Sequence, residues 1–328
     1  TSDMLVFSSF FDGVFIYNPI TKSISERKLI SDEYRIFEMT IDHSNTIWLC
    51  TQFGVVKMNS NESEYIDVEK GLPTNTVSCI FEDKDQNVWI GTQGKGIARA
   101  PRGELTYFDK KTGLNSDLVI SGFQSKNGDY YFGTFDIGVV KMTPKKEFKT
   151  IPFQFSNTVW AAQESVDGKH WFGTKASMIA LDSKENTKEF SIEHGTPGYK
   201  ITCFYKKNNR SMYVGGKDGV VLYSNGTFKE IASNRIKIGT ARSIEVIEGI
   251  LYVGTDLGLF KLSGEKFVPV NNITKTVFSL IKDDKNNLYF GTEDGLFVLS
   301  SGKISRIRFA KESAANYINF LKTKIVNF

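Results

Sequence analysis

One short motif recurs through nearly the whole chain, and its spacing limits the folds that the chain can adopt. The motif is an aromatic residue, any residue, a small residue and Thr, followed by a Gly-containing turn and a short apolar strand, as in WIGTQGKGIAR from Trp89. With a weaker copy from Val6 it occurs eight times, at spacings of 42, 41, 42, 40, 42, 39 and 37 residues. A period near forty suits a four-stranded propeller blade and is too long for a leucine-rich repeat. The residues at the Thr position are Ser9, Thr51, Thr92, Thr134, Thr174, Gly216, Thr255 and Thr292.

Each repeat divides into four predicted strands. A first strand such as VSCIF precedes the motif and ends in a turn rich in Asp, Asn and Gly, such as Glu82–Asn87. These residues tolerate left-handed dihedral angles and bond their own backbone. The aromatic strand and the apolar strand follow, and a more polar fourth strand ends the repeat. This gradient from apolar to polar is typical of strands that run from the hub of a propeller to its rim.

The two ends of the chain predict how the fold closes. The chain opens inside a repeat, at MLVFSS, and residues 316–324 (NYINFLKTK) have the pattern of a first strand. We expect this strand to complete the blade that the N-terminal strands begin, because closure removes exposed sheet edges. The sequence therefore predicts an all-β fold, one β-propeller domain over residues 1–328 with eight four-stranded blades, and seven blades as the alternative.

The segment Gly71–Ala100, GLPTNTVSCIFEDKDQNVWIGTQGKGIARA, resembles the two-component regulator propeller repeat. In that repeat Gly-Leu-Pro opens the approach, Glu-Asp marks the turn and Trp-Ile-Gly-Thr forms the second strand; Gly113–Phe123 repeats the opening. The family's propellers form extracytoplasmic sensor regions of histidine kinases and hybrid regulators, often in Bacteroidetes, and many respond to glycans. The resemblance implies a non-catalytic, ligand-sensing propeller, periplasmic or extracellular, next to other domains of a larger sensor. Such propellers usually have seven blades.

Composition argues against several classes of function. The net charge is +4, from 41 basic and 37 acidic residues, without a run of like charges, so no nucleic-acid partner is expected. No apolar run approaches the roughly 20 residues that span a bilayer, so no direct membrane insertion of this segment is expected. The three cysteines lie far apart, which favours small buried side chains over a disulfide framework.

The sequence contains no motif for a metal, a cofactor or a catalytic centre. Its three His residues lie in different repeats, so we expect no metal site and no cofactor. The sequence leaves open a Ser–His–Asp catalytic triad or a pair of catalytic carboxylates, because only the distances between such residues in space would identify either site. Acidic residues mostly occupy predicted turns, where we expect them to be solvated.

The recurring residues are predicted to be structural. One aromatic per blade at a fixed strand position is what packing between blades requires, and the repeated Thr is expected to bond a neighbouring strand or turn. These aromatic residues are Trp48, Trp89, Tyr131, Trp171, Tyr213, Tyr252 and Tyr289.

Residues that break the repeat are the candidates for binding. Ligands of propellers usually lie over the central channel, on the face formed by the loops between second and third strands and by the segments leading into the first strands. Aromatic and basic residues in these segments suit an oligosaccharide, through stacking and charge-assisted hydrogen bonds. The predicted ligand-binding residues are Arg35, Phe53, Lys95, Phe135, Trp160, Lys175, Tyr199, Lys200, Lys217 and Arg242.

The same loops predict an uneven charge distribution. The basic candidates fall mostly in the middle of the chain, whereas Asp12, Asp256, Glu293 and Asp294 lie near its ends. In a closed ring those ends meet, so we expect a face that is basic on one side and acidic on the other. Two other functions stay open, a protein–protein interaction scaffold and a polysaccharide lyase or hydrolase.

Overall fold

The chain folds almost entirely into β-strands. The structure is a computed structural model, and it describes residues 4–10, 12–27, 29, 34–59, 62–100, 105–154, 156–232, 237–271, 273–308 and 317–324. These residues form 32 strands and two short 3₁₀ helices, Lys110–Thr112 and Ile192–His194. The strands make eight sheets of four, paired antiparallel wherever the register is described, which confirms the predicted β-propeller of eight blades.

The chain divides into two compact units. Unit 1 comprises Thr1–Asp32 and Gln163–Thr323, and unit 2 comprises Glu33–Ala162 and Lys324–Phe328. The division falls inside one strand, Val159–Val166, so residues 159–162 belong to unit 2.

Three sheets lie in unit 2. The first consists of β4 (Ile36–Ile41), β5 (Ile47–Thr51), β6 (Gly54–Met58) and β7 (Ser63–Ile66). The second consists of β8 (Val77–Glu82), β9 (Val88–Thr92), β10 (Ile97–Ala100) and β11 (Thr106–Phe108). The third consists of β12 (Val119–Gln124), β13 (Tyr130–Thr134), β14 (Val139–Met142) and β15 (Phe148–Ile151).

The other five sheets lie mainly in unit 1. The first consists of β1 (Met4–Ser9), β2 (Gly13–Tyr17), β3 (Ile24–Arg27) and β32 (Ile318–Lys324). The second consists of β16 (Val159–Val166), β17 (Lys169–Thr174), β18 (Met178–Leu181) and β19 (Thr187–Phe190). The third consists of β20 (Ile201–Asn208), β21 (Ser211–Gly216), β22 (Gly219–Ser224) and β23 (Thr227–Glu230). The fourth consists of β24 (Ala241–Ile247), β25 (Ile250–Thr255), β26 (Gly258–Ser263) and β27 (Lys266–Pro269). The fifth consists of β28 (Val277–Lys282), β29 (Leu288–Thr292), β30 (Gly295–Ser300) and β31 (Lys303–Arg306).

The strand that closes the fold lies where the sequence predicts it. In the first sheet the order is β3-β2-β1-β32, so the C-terminal strand completes the sheet begun by the N-terminal strands. The Ser8 hydroxyl donates to Asn319 Oδ1 at 3.0 Å, and the amide of Phe10 donates to the carbonyl of Tyr317 at 3.0 Å. Asn316, the first residue of the predicted strand, lies outside the described residues.

The motif glycine is required by a close approach between neighbouring sheets. A Cβ atom on Gly91 would lie 2.3 Å from Sγ of Cys79 and 3.0 Å from the carbonyl oxygen of Val119, the first residue of β12. The distance to Cys79, in the same sheet, is shorter than real Cβ contacts, and the distance to Val119 is tighter than most of them, so a side chain here would require Cys79 and the neighbouring sheet to shift. The small residue of the motif is thus a consequence of packing between blades.

The motif aromatics pack in the core, as predicted. All seven are at most 9% exposed, and Trp89 contacts the rings of Phe108, Tyr130 and Phe132 at centroid distances of 5.8, 4.8 and 5.6 Å. Tyr130 and Phe132 belong to β13 in the next sheet, so this cluster joins two blades. Cys50 and Cys79 are buried and Cys203 is half-buried, and all three thiols are free.

The motif Thr ties together the turn that follows it. Thr92 Oγ1 donates to the carbonyl of Gly96 at 2.8 Å and accepts from the amide of Lys95 at 3.2 Å. Thr51, Thr134, Thr174, Thr255 and Thr292 make the same donation to the residue that closes their own turns. The predicted structural role of the Thr is therefore confirmed.

Some acidic turn residues are buried, which corrects the expectation that turn carboxylates are solvated. Asp83 is 6% exposed and accepts from the indole of Trp89 at 2.7 Å, the hydroxyl of Tyr130 at 2.9 Å and the amide of Asn87 at 2.8 Å. Burial by itself would raise the pKa of Asp83, but the bonds donated by Trp89, Asn87 and Tyr130 hold it below its ordinary value. Asp42 accepts in the same way from Trp48 at 2.8 Å. In both cases the carboxylate stands six residues before the tryptophan that it holds.

No helix in the described part of the chain is long and apolar enough to cross a membrane.

Candidate functional site

The structure places all ten predicted site residues at exposed positions. Arg35, Phe53, Lys95, Phe135 and Trp160 lie in unit 2, and the other five lie in unit 1. The exposed fraction is 45% for Phe53, 51% for Phe135, 41% for Trp160 and 64% for Tyr199. The motif aromatics are at most 9% exposed, so the candidate aromatics and the motif aromatics differ clearly in the exposed fraction of their side chains.

Backbone hydrogen bonds bring the two predicted kinds of loop to the same end of each sheet. In unit 2 the amide of Phe135, in the turn after β13, donates to the carbonyl of Leu118, just before β12, at 2.9 Å. In unit 1 the amide of Lys217 donates to the carbonyl of Lys200 at 3.0 Å. The pairing follows from antiparallel geometry, because the start of a first strand and the end of the second are neighbours.

Two candidate residues of unit 2 are in direct contact. The rings of Phe135 and Trp160 meet edge to face at 6.2 Å with an interplanar angle of 89°. The hydroxyl of Thr158 donates to the carbonyl of Phe135 at 2.8 Å, which joins the turn after β13 to the segment leading into β16. We call Phe135 and Trp160 the aromatic pair.

A polar recess adjoins the aromatic pair. It has a volume of about 220 Å³, and first strands from four consecutive sheets contribute to its lining, which includes Glu38, Cys79, Ser121, Trp160 and Ala162. Burial raises the pKa of the Cys79 thiol, and the charge of Glu38 raises it further, so the thiol is not an ionised nucleophile. Glu38 Oε2 accepts from the amide of Ile80 at 3.3 Å, and the Ser121 hydroxyl donates to the carbonyl of Val159 at 3.2 Å. A carboxylate and a hydroxyl that line the same recess as an exposed indole can recognise a polar ring through their remaining hydrogen-bonding capacity and through stacking.

The other candidates of unit 2 lie in separate surroundings. Phe53 packs against Tyr34 at 5.1 Å, and Tyr34 packs in turn against Tyr65 at 5.7 Å. The backbone amide of Arg35 donates to Gln52 Oε1 at 2.6 Å. Sequence reasoning missed Tyr34, which directly precedes the candidate Arg35, and Tyr65, which lies on the polar fourth strand β7.

Lys95 lies in a turn that is fixed to the next sheet. The amides of Gly94 and Gly96 donate to the carbonyl of Asp117 at 2.7 and 3.0 Å. The backbone position of Lys95 is therefore set by both sheets, while its side chain is exposed.

In unit 1 the structure brings some candidates together. Lys200 and Lys217 are joined through their backbones, and Tyr199 precedes Lys200 with its ring 64% exposed. The guanidinium of Arg242 lies 5.6 Å from the ring centroid of Phe278. Lys175 is exposed in the turn that Thr174 organises.

Two of the four acidic loop residues are engaged by their own surroundings. Asp12 Oδ2 accepts from the hydroxyl of Ser9 at 2.6 Å, and Asp256 Oδ1 accepts from the amide of Thr240 at 2.7 Å. The uneven charge distribution predicted across the loop face stays a prediction.

A Ser–His–Glu constellation lies at the other end of the sheets. His43 Nδ1 bonds Glu82, and His43 Nε2 lies 2.8 Å from the hydroxyl of Ser44. However, the backbone amides of this turn are already used. The amide of His43 donates to the carboxylate of Glu82, and the amides of Ser44 and Asn45 donate to the carboxylate and the carbonyl of Asp42. Acyl transfer requires free donors near the nucleophile to stabilise an oxyanion, and these three amides of the turn offer none. Among the described residues no group of three or more His, Cys, Asp or Glu could hold a metal ion.

Comparison with known structures agrees with this architecture. A streptogramin B lyase is 10% identical, with 88% of this chain and 87% of that chain covered and a TM-score of 0.58. The extracellular domain of a one component system from B. thetaiotaomicron is 16% identical, with a TM-score of 0.55; the match covers 93% of this chain and 52% of that domain. The computationally designed Ika8 protein is 15% identical, with 90% and 96% covered and a TM-score of 0.65. At these identities the likeness concerns the fold, and this chain spans about half of the B. thetaiotaomicron domain.

The sequence comparison is more specific for one repeat. No curated protein matches the chain. The family model described as "Two component regulator propeller" matches residues 71–94, inside the segment Gly71–Ala100 that carries the predicted resemblance. The chain therefore contains a two component regulator propeller repeat, and the predicted resemblance is confirmed.

Proposed function

We propose that the chain is a ligand-sensing propeller that binds an oligosaccharide at the aromatic pair and the adjoining recess. The observation that carries the proposal is Trp160, which is 41% exposed, contacts Phe135 and lines the same recess as Glu38 and Ser121. Packing between blades accounts for the motif aromatics but gives no reason for an exposed indole here. A sugar ring would stack on the indole and place its hydroxyls near the carboxylate and hydroxyl of the recess.

The remaining candidates form one further group in each unit. Phe53 with Tyr34 offers a second aromatic surface in unit 2, and Arg35 and Lys95 add positive charge. In unit 1, Tyr199, Lys175, Lys200, Lys217 and Arg242 combine an exposed ring with cations. Each of these two groups by itself suits a glycan that carries anionic groups, because cations make charge-assisted hydrogen bonds to such groups.

We further propose that the chain acts outside the cytoplasm, as one sensor domain next to other domains of a larger regulator, and that it binds without chemical turnover. The repeat at residues 71–94 and the likeness to a B. thetaiotaomicron extracellular domain support this assignment. The buried thiol of Cys79 and the occupied amides around Ser44 favour binding over catalysis.

Titration calorimetry against neutral and anionic oligosaccharides tests the binding function. We expect saturable heat with at least one glycan, and about tenfold weaker binding for Trp160→Ala, since loss of a stacked ring costs roughly 1 kcal/mol or more. Tyr107→Ala is the matched control, because Tyr107 is 37% exposed and lies on β11, away from the recess. No saturable heat across the panel, or equal binding by Trp160→Ala, would contradict the proposal.

The same panel separates binding from catalysis. The streptogramin B lyase among the similar structures is an enzyme by name, and a lyase or hydrolase was one of the functions left open by the sequence. We expect the bound glycans to be recovered intact by mass spectrometry after prolonged incubation. A new cleavage product that accumulates with enzyme concentration would replace the sensing function by a catalytic one.

A further inference from the structure

A second pocket in unit 2 lies at the opposite end of the sheets from the aromatic pair. It opens between the sheet β8–β11 and the sheet β12–β15, beside the turns that follow β8, β12 and β14, and has a volume of about 350 Å³. Four basic side chains and one carboxylate contribute to its lining, namely Lys84, Arg99, Lys126, Lys146 and Asp85. The described lining therefore has an excess of positive charge.

Arg99 is the half-buried member of this basic group. It lies in β10 directly opposite Trp89, with its guanidinium 5.9 Å from the centre of the Trp89 ring. Its Nη2 donates to Asn87 Oδ1 at 3.2 Å, while its Nε is buried and has no hydrogen-bond partner among the described residues. A guanidinium has five N–H donors, so most of the bonding capacity of Arg99 is not used by the described part of the protein.

Arg99 can be compared with the equivalent positions in the other two sheets of unit 2. Lys57 stands opposite Trp48 and pairs with Glu64 at 3.6 Å, and Lys141 stands opposite Tyr131 and pairs with Asp129 at 2.8 Å. All three sheets thus have a cation at the same register position. Of these three cations of unit 2, Arg99 is the one that has no carboxylate partner among the described residues.

The surroundings of Arg99 combine an aromatic wall with exposed cations. Trp89 and Tyr130 contribute the wall, and their polar atoms already bond Asp83. Lys84 and Lys146 are exposed at the mouth, where Lys84 Nζ donates to the carbonyl of Ser125 at 2.5 Å and Lys146 Nζ lies 5.9 Å from the ring centroid of Phe108. Both lysines line the same pocket as Arg99 and add to its positive charge.

We propose that this pocket is a second binding site, for a carboxylate or sulfate group borne by a molecule of about the size of one sugar ring. Arg is suited to such oxyanions because its planar fork of donors can make two parallel charge-assisted bonds. The volume lies at the lower end of the range for small-molecule pockets, about 300–1,000 Å³. The pocket does not include Phe135 or Trp160, so its occupation is independent of the function proposed above.

Titration calorimetry at low ionic strength tests the site with four probes: glucuronic acid, glucose 6-sulfate, inorganic sulfate and glucose. The variants are Arg99→Gln, which removes the charge but keeps a polar side chain, and Lys57→Gln as the matched control at the equivalent register position. We expect the anionic probes to bind and glucose not to bind. We expect about tenfold weaker binding for Arg99→Gln, which corresponds to about 1.4 kcal/mol, and no change for Lys57→Gln.

The probes distinguish the source of the anion. Tighter binding of the two sugar anions than of inorganic sulfate assigns the pocket to an acidic sugar, and equal binding assigns it to a free anion; both results support an anion site. Equal binding of glucose, no binding of any anion, or the same loss in Arg99→Gln and Lys57→Gln would overturn it. Far-ultraviolet circular dichroism of each variant establishes that the fold is intact, and Arg99→Lys provides a milder substitution if Arg99→Gln does not fold.

Discussion

Two tryptophans of unit 2 illustrate the difference between residues that build this fold and residues available to a ligand. Trp89 recurs at its position in the repeat, is 2% exposed and donates its indole hydrogen to a buried carboxylate. Trp160 is not one of the motif aromatics, is 41% exposed and lies beside Phe135 at the rim of a polar recess. In a protein made of eight similar sheets, recurrence thus marks packing, and departure from the repeat marks candidate sites.

The largest effect that this comparison predicts is on stability. Trp89→Ala should lower the free energy of unfolding by about 3–5 kcal/mol, because it leaves a cavity among Phe108, Tyr130 and Phe132. Urea denaturation monitored by circular dichroism measures the loss. If Trp89→Ala does not fold, Trp89→Phe keeps an aromatic ring and should show a smaller loss. A loss below about 1 kcal/mol would mean that recurrence does not identify the core.

A smaller effect is expected from the carboxylate that holds Trp89. Asp83→Asn should cost about 1–3 kcal/mol, because its amide group would face donors from Trp89 and Tyr130. Since the pKa of Asp83 is lower in the folded chain than its ordinary 3.8, ionised Asp83 contributes stability that is complete above that value. This contribution is lost as the pH falls through the folded pKa.

Urea titrations at several pH values between 6 and 3 test this linkage. The variant should show a shallower loss of stability in acid than the natural chain. Asp182→Asn is the control, because Asp182 accepts bonds from Asn186 and Lys184 in an exposed turn and holds no indole. Identical acid profiles for the natural chain and Asp83→Asn would contradict the role of the carboxylate.

Next in size is the turn bond of the motif. Thr92→Val keeps the shape of the side chain but removes the donor to Gly96 and the acceptor for Lys95, and it should cost about 1–2 kcal/mol. Thr92→Ser restores the hydroxyl and should recover most of that stability in the same denaturation experiment. If the two variants are equally unstable, the methyl group of Thr92 matters more than its hydrogen bonds.

The smallest stability effect is expected at the exposed tryptophan. Trp160→Ala should lower the free energy of unfolding by about 1 kcal/mol or less, because the side chain is largely exposed and loses mainly its edge-to-face contact with Phe135. Thermal and urea denaturation measure it, with Trp89→Ala as the contrasting variant. A large loss would assign Trp160 to packing and remove the observation on which the proposed function depends.

Much of the fold could be predicted because its repeat is local in sequence. The spacing of the motif Thr predicts eight blades, and the motif itself predicts the second and third strands of each blade. The closing strand is predicted because residues 316–324 have the pattern of a first strand, whereas the chain begins with a second strand, MLVFSS. These features depend on strand length, turn residues and alternation over a few positions, all of which a single sequence contains.

The finer contacts could not be predicted, because they depend on distances between sheets. Asp83 binds Tyr130 of the next sheet, and the pocket beside Arg99 exists only where two sheets meet. One signal was available in the sequence: Asp42 and Asp83 stand six residues before Trp48 and Trp89. No comparable spacing pointed to Tyr34 against Phe53 or to the lack of a carboxylate partner at Arg99 among the described residues.

The pairing of β32 with β1 has a consequence for the order in which the protein matures. Strands β1–β3 are synthesised before the other strands of these eight sheets, yet their own sheet stays one strand short until Ile318–Lys324 has been synthesised. Pairing between segments so far apart in the chain is slow, so completing this sheet is expected to be a late event in biogenesis. A chain that stalls before β32 would present the bare edge of β1, a recognisable mark for chaperones and proteases.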